Sequence, residues 1–406
     1  MIPSIRQAFN QRFNREDYQA FMQYIEQTFG EAPTFKVAET PVFVPQDLYH
    51  KLASACENIN DFLTKPNLKE RTAAAFTLPQ HMVPNEDDHP LFLQYDFAIS
   101  RSPEGELRPH LIEMQGFPSL YFYQHLLALT YQRFFRIPYQ LNHLFSNLNL
   151  LSYVSTLRSV IIGDHDPKHV VLLDIEPRRQ NTRIDFWGTE QLLGIKVLCL
   201  SDVKRHGKEL FYLDKQGRPV AIHRIFNRVI FDELIQYPDP KREFNLTEEV
   251  EVEWAGHPNW FMRISKHTMP MLEGDYIPPS YFLDKLDGYP EDLNNYVLKP
   301  LYSFSGKGVK MNPTREDLDA VEDRSNFILQ RKIEYSPVIE SPYGGSPSKC
   351  ELRMMMLWLP EWDRPRLTNN LVRLTRGEMM GVRYNMDESW VGASIGFFDQ
   401  EGHFSG

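Results

Sequence analysis

The segment HVVLLDIE (169–176) is an unbroken apolar run. A strand that is apolar on both faces must be covered on both, which is the situation of a parallel strand beneath its crossovers. A polar-faced helix pattern, NTRIDFWGTEQLLG, and a second apolar run, IKVLCLSD, follow it. This β–α–β succession predicts a Rossmann-like subdomain over roughly 165–265. The chain has 406 residues, more than one ordinary core serves, so two or three packed units are expected. Their expected bounds are 1–160, a helical region with strands, 161–268, the Rossmann-like subdomain, and 269–406.

Composition narrows the classes. The net charge of −10 is spread along the chain, which weighs against nucleic-acid binding but leaves room for a locally basic pocket. No run of about 18 apolar residues is present, so no membrane span is expected. MIPSIRQAFNQRFNRED lacks the apolar core of a secretory signal. Cys56, Cys199 and Cys350 lie far apart without a metal-type pair, which suits a reducing, cytoplasmic setting.

Around the β–α–β unit, residues 5–30 and 47–65 show helical spacing of Phe, Leu and Ile. LFLQYDFAIS and RPHLIEMQ read as strands joined at SPEGE. A helical region over about 121–157 is interrupted near Pro138, and FYLDKQGRPVAIHRIF reads as a hairpin. Beyond 270, YVLKPL, NFILQRKI, KCELRMMMLWL and RLTNNLVRLT suggest an antiparallel sheet half open to a ligand.

YVLKPLYSFSGKGVKM (296–311) is the first stretch with chemistry in it. It is not a Walker loop: Gly306-Lys307 is present, but Leu301 replaces the first glycine and Gly308 the Ser/Thr. Small residues between strands let backbone N–H groups approach phosphate, and Lys299 adds a charge from a strand end. A plain hairpin tip with surface lysines is the competing reading. Glu351 and Arg353 alternate on one strand, so they share a face and must be paired or used there. His110, His125, His257 and His267 lack metal-ligand spacing and read as structural.

In their order along the chain these parts resemble the ATP-grasp fold. Lys266, Lys299, the loop with Ser303, Ser305, Gly306, Lys307 and Gly308, and the hinge Gln330-Arg331-Lys332-Ile333 are similar to its two lysines, phosphate loop and adenine strand. The Glu-x-Asn that usually comes near the end is matched upstream, as Glu113-x-Gln115 in LIEMQGFPSL. This order resembles the circularly permuted members, eukaryotic-type glutathione synthetase and glutathionylspermidine synthetase. The resemblance implies a mixed α/β (α+β), circularly permuted ATP-grasp chain with the Rossmann-like subdomain inserted. It also implies ATP and Mg2+, with Glu113 and Gln115 as metal ligands, Glu351 at the nucleotide and the loop closing as a lid. Asp96, Arg101 and Ser119 would meet substrate, and Arg224, Arg228 and Arg373 would hold a carboxylate or its acylphosphate. The implied activity is ligation of a small carboxylate to an amine, with phosphorylation alone or nucleotide binding without turnover as alternatives.

Three departures stand out: Gln115 for asparagine, Ser303 where the glutathione synthetases carry a metal-binding Glu, and Gln94 where they carry an arginine. The last argues against glutathione as product. Asn385, Asp387 and Glu388 offer a second candidate metal cluster, and Gly392-Ala393-Ser394 a second covering loop.

Overall fold

The structure, a computed structural model, describes residues 1–76, 81–236, 242–302, 308–377 and 388–404. Two helices, α1 (Pro3–Arg12) and α2 (Arg15–Phe29), replace the single helix expected over 5–30. Phe13 is extended, and Asn14 caps α2 by accepting from the Asp17 N–H, so the helix ends and restarts there. α3 (Gln46–Leu63) buries the stripe Leu48, Leu52, Ile59 and Leu63.

β1 (Phe92–Arg101) and β2 (Leu107–Gln115) form the expected hairpin, in a register that sets Gln94 beside Gln115 and Asp96 beside Glu113. α4 (Tyr121–Phe134) and α5 (Leu150–Ile162) divide the expected helical region across a wider break than Pro138 alone would make. Asn149 and Ser152 form a capping box that starts α5.

The apolar run becomes β3 (Val170–Asp174), buried throughout, and is followed by α6 (Arg183–Leu193) and β4 (Lys196–Cys199). β5 (Arg224–Asn227) and β6 (Glu253–Ala255) complete a parallel sheet of order β6-β5-β3-β4. Val170 and Leu172 pack with Leu157, Ile161 and Phe186 of α5 and α6. Val171 and Leu173 pack instead with Leu210 and Ile222 of the hairpin inserted between β4 and β5. An antiparallel insert therefore covers the second face where a doubly wound sheet would have helices.

β7 (Ser280–Phe282), β8 (Tyr296–Pro300), β9 (Lys310–Met311) and β10 (Phe327–Arg331) make an antiparallel sheet of order β7-β10-β8-β9. β11 (Ser348–Leu357), β12 (Arg366–Thr375) and β13 (Gly392–Ser394) return to the first hairpin in the order β13-β12-β11-β1-β2. The expected half-open sheet is covered on both faces. Leu352, Met354 and Met356 share a core with α3, while Met355 and Leu357 pack on the other side with Tyr121 and Ile161. Gly392-Ala393-Ser394 is buried strand rather than a covering loop, and a Cβ on Gly392 would stand 2.5 Å from the Lys36 carbonyl oxygen. Among the described residues no helix is long and apolar enough to cross a membrane.

One close approach positions the site. Gly116, next to Gln115, donates its N–H to the Ile264 carbonyl at 2.8 Å. A Cβ there would lie 2.6 Å from the Trp260 carbonyl oxygen, so only glycine lets the segment that carries Lys266 rest against the end of β2. Gly116→Ala is expected to cost about 1–3 kcal/mol in denaturant unfolding, the range for overpacking. Unchanged stability would contradict this contact.

Candidate functional site

Alternation and register gather polar side chains on one face of the sheet built from β12, β11, β1 and β2. Glu113 and Gln115, Gln94 and Asp96, and Glu351 and Arg353 are each two apart on a strand, and Arg373 stands opposite Glu351. Buried charge on such a face is tolerable only when paired. The Arg353 guanidinium grips Asp96 with two bonds, Nε to Oδ1 at 2.5 Å and Nη2 to Oδ2 at 2.6 Å. Arg373 bridges Asp96 and Glu351 through Nη2, and the Tyr335 hydroxyl donates to Glu351 Oε2 at 2.9 Å.

These contacts separate the two acids. Burial works against ionised Asp96, but Arg353 and Arg373 together hold its carboxyl below the usual range. Burial raises the Glu351 carboxyl despite Arg373. Burial also raises the Tyr335 hydroxyl, which stays a donor. Both Asp96 oxygens are thus taken by guanidinium groups and the residue is 2% exposed. This corrects the expectation that Asp96 meets substrate: it is the internal anion that fixes two arginines.

At the edge of this face Lys266 Nζ lies 2.6 Å from Glu113 Oε1. Burial opposes the ionised form of Glu113, but Lys266, with help from Lys299, keeps its carboxyl below the ordinary value. Lys299 reaches across from β8 in the second sheet. Its ammonium donates to the Ile112 carbonyl at 2.9 Å and to Gln330 Oε1 at 2.5 Å, both neutral acceptors. Desolvation, moderated by Glu113 and aided by Lys266, pushes its pKa down to about 8. Gln330, 2% exposed, keeps an Nε2 without a hydrogen-bond partner among the described residues. Arg353, Arg373, Lys266 and Lys299 are four cations against Asp96, Glu351 and Glu113, three carboxylates. The excess of one positive charge suits an anionic ligand.

Other expected residues lie elsewhere. Arg101 is exposed at the hairpin turn, donating to the Gly105 carbonyl, five residues or roughly 16 Å along β1 from Asp96. Arg224 stands at the amino end of β5, where it ion-pairs with Glu253 and donates to the Ile161 and Val160 carbonyls. It is structural there. Arg331 faces away from Lys299, paired with Asp292 at 2.6 Å over the Tyr296 ring. Of the expected adenine strand, the Lys332 N–H is taken by the Asn295 carbonyl, while the Ile333 backbone makes no hydrogen bond among the described residues. Ser119 joins the site through its carbonyl, which accepts from Gln94 Nε2. Gly308 is described, with φ 74; Ser303, Ser305, Gly306, Lys307, Asn385 and Asp387 lie outside the described residues, and Glu388 is exposed. The histidines hold structural contacts, such as His125 with His143 at 2.9 Å. Among the described residues no three-ligand metal cluster of His, Cys, Asp or Glu exists.

The parallel sheet adds a second group of buried charges. Its chain runs from β3 outward to β4 and then returns to β5 on the other side, so the order reverses between β3 and β5. Ligand crevices of open α/β sheets form outside the carboxyl ends of strands at such a reversal. Asp174 ends β3 and Arg228 follows β5 there. Arg228 is buried over the Phe117 ring, and its Nε and Nη1 have no hydrogen-bond partner among the described residues. Burial pushes the Asp174 carboxyl up to about 8, with Arg228 opposing, and raises Glu233 as well. Asp185 accepts from the Phe122 and Tyr123 N–H groups at 3.0 and 2.8 Å, pinning the start of α4 to α6. Sequence reasoning missed Asp174, Asp185, Glu233 and Tyr335; the reversal rule could have found Asp174.

In fold the chain is similar to a glutathione synthetase-like effector from Globodera pallida in its apo form. The TM-score is 0.59 over 94% of this chain and 96% of that one, at 10% identity. A Methylobacillus flagellatus KT protein named as a gamma-glutamylcysteine synthetase aligns over 83% of this chain and 85% of that one. Its TM-score is 0.39 at 12% identity, which adds no argument. No protein-family model matches the chain, and no curated protein does. The chain is a mixed α/β protein whose fold is similar to that of this glutathione synthetase-like effector.

Asp96→Asn should cost about 3–5 kcal/mol in chemical unfolding, because it leaves the buried Arg353 and the half-buried Arg373 guanidinium groups short of charge. A loss below 1 kcal/mol would contradict the central role of this carboxylate.

Proposed function

We propose that the chain is an ATP-dependent carboxylate–amine ligase on an ATP-grasp fold in circularly permuted order. The observation that carries this reading is Lys299, a half-buried cation that, among the described residues, hydrogen-bonds only neutral acceptors beside the Lys266–Glu113 pair. MgATP, when bound, supplies the phosphoryl group that turns a carboxylate into an acylphosphate, which an amine then opens with loss of phosphate.

The chain's own residues do the positioning. Lys299 and Lys266 neutralise phosphate charge from two sides of the groove. Glu113 presents a carboxylate and Gln115 an amide oxygen on the same strand face, oxygen donors that suit a hard cation keeping most of its waters. Gln330 Nε2 and the Ile333 backbone remain for the base. Arg228, with two donors open among the described residues beside Asp174, whose carboxyl burial raises, suits the acid substrate, and Phe117 beneath it leads back to Gln115. Release of ADP that requires both an acid and an amine is the expected assay result. ADP formed with the acid alone would mean phosphorylation without ligation. Tight nucleotide binding without ADP across a broad panel would mean binding only.

Lys299 gives the reading a pH signature. Burial puts its pKa at about 8, below that of an ordinary lysine, and bound phosphate favours its protonated form. As pH rises through 8 the free protein loses that charge, so nucleotide binding should weaken and take up a proton. Calorimetry in buffers of different ionisation enthalpy should show this uptake, and Lys299→Arg should abolish it. A pH-independent affinity from 7 to 9 in the unmodified chain would contradict the assignment.

A further inference from the structure

We infer that Gln94 is the positioning residue that turns the Gln115 amide so that its oxygen faces the metal; this rests on the nucleotide site proposed above. Gln94 is fully buried and makes three hydrogen bonds. Its Nε2 donates to the Ser119 carbonyl at 2.7 Å, and its Oε1 accepts from Arg353 Nη1 at 2.8 Å and from Gln115 Nε2 at 2.6 Å.

The direction of every bond is forced. A backbone carbonyl can only accept and a guanidinium can only donate, so the Gln94 amide fits one way round. Its oxygen then faces Gln115, which must answer with its NH2 group. The Phe117 carbonyl, 3.3 Å from the same Gln115 nitrogen, demands the same orientation. Gln115 Oε1 is left as the outward atom, without a hydrogen bond among the described residues. An amide free to rotate would offer a cation its nitrogen about as readily as its oxygen, and the nitrogen cannot ligate. Arg353, itself locked by Asp96, anchors the chain, so the buried charge network sets the donor atom at the sheet edge.

Mn2+, a spectroscopic stand-in for magnesium, tests this by paramagnetic resonance titration of the full chain with a non-hydrolysable ATP analogue. Gln94→Met keeps the bulk and removes the acceptor. It should weaken Mn2+ binding about 10–100-fold, as loss of outer-shell partners does. Metal-free nucleotide affinity should stay unchanged, which a general structural defect would not allow. In a Gln115→Leu background the same change should add nothing. Full additivity, or unaltered Mn2+ affinity in folded Gln94→Met, overturns the inference. If the unmodified chain binds nucleotide but no Mn2+, the metal reading itself falls, and this inference with it.

Discussion

The arrangement depends on one buried carboxylate. Asp96 sits in the middle of a sheet covered on both faces, where a lone charge would cost several kcal/mol. It is affordable because Arg353 holds both oxygens and Arg373 adds a third bond. Those guanidinium groups in turn orient Glu351 and Gln94, so a single anion fixes groups on three strands. Such a network is weak as a source of net stability and strong as a source of fixed geometry.

The candidate site lies where separate pieces of chain meet. One is the polar face of β1, β2, β11 and β12; another is the small sheet that sends Lys299 across to the Ile112 carbonyl. A third is the parallel sheet, whose reversal point leaves Arg228 and Asp174 at one end of the Phe117 segment. Glycine at 116 lets the Lys266 segment close against β2. Each piece is ordinary alone. Together they leave, among the described residues, a positive excess and several donors without a hydrogen-bond partner.

Much of this was legible in the sequence because local physics decided it. The unbroken apolar run fixed β3, the SPEGE turn fixed the first hairpin, and period-two alternation put Glu113 with Gln115 and Glu351 with Arg353. Lys299 stands out from its strand end, while Lys266, Gln330 and Arg373 come from the resemblance to ATP-grasp proteins; Lys299 bonds Gln330 and lies beside the Lys266–Glu113 pair. Arg224 and Arg228 flank the same short strand and look equivalent in sequence, yet only the carboxyl end of a parallel strand opens on a crevice. Arg101 was misjudged because a strand carries its end roughly 3.3 Å further with each residue. Asp174, Asp185 and Tyr335 had no local pattern to reveal them, since their partners come from other strands and helices. Gln94 looked like a lost arginine, and its role appears only through the register that sets it beside Gln115.

A crystal structure with Mg2+ and a non-hydrolysable ATP analogue tests the central claim most directly. The account predicts phosphates between Lys266 and Lys299, a metal on Glu113 Oε and Gln115 Oε1, and the base beside Gln330 and Ile333. Nucleotide bound elsewhere, or phosphates held without either lysine, would contradict it.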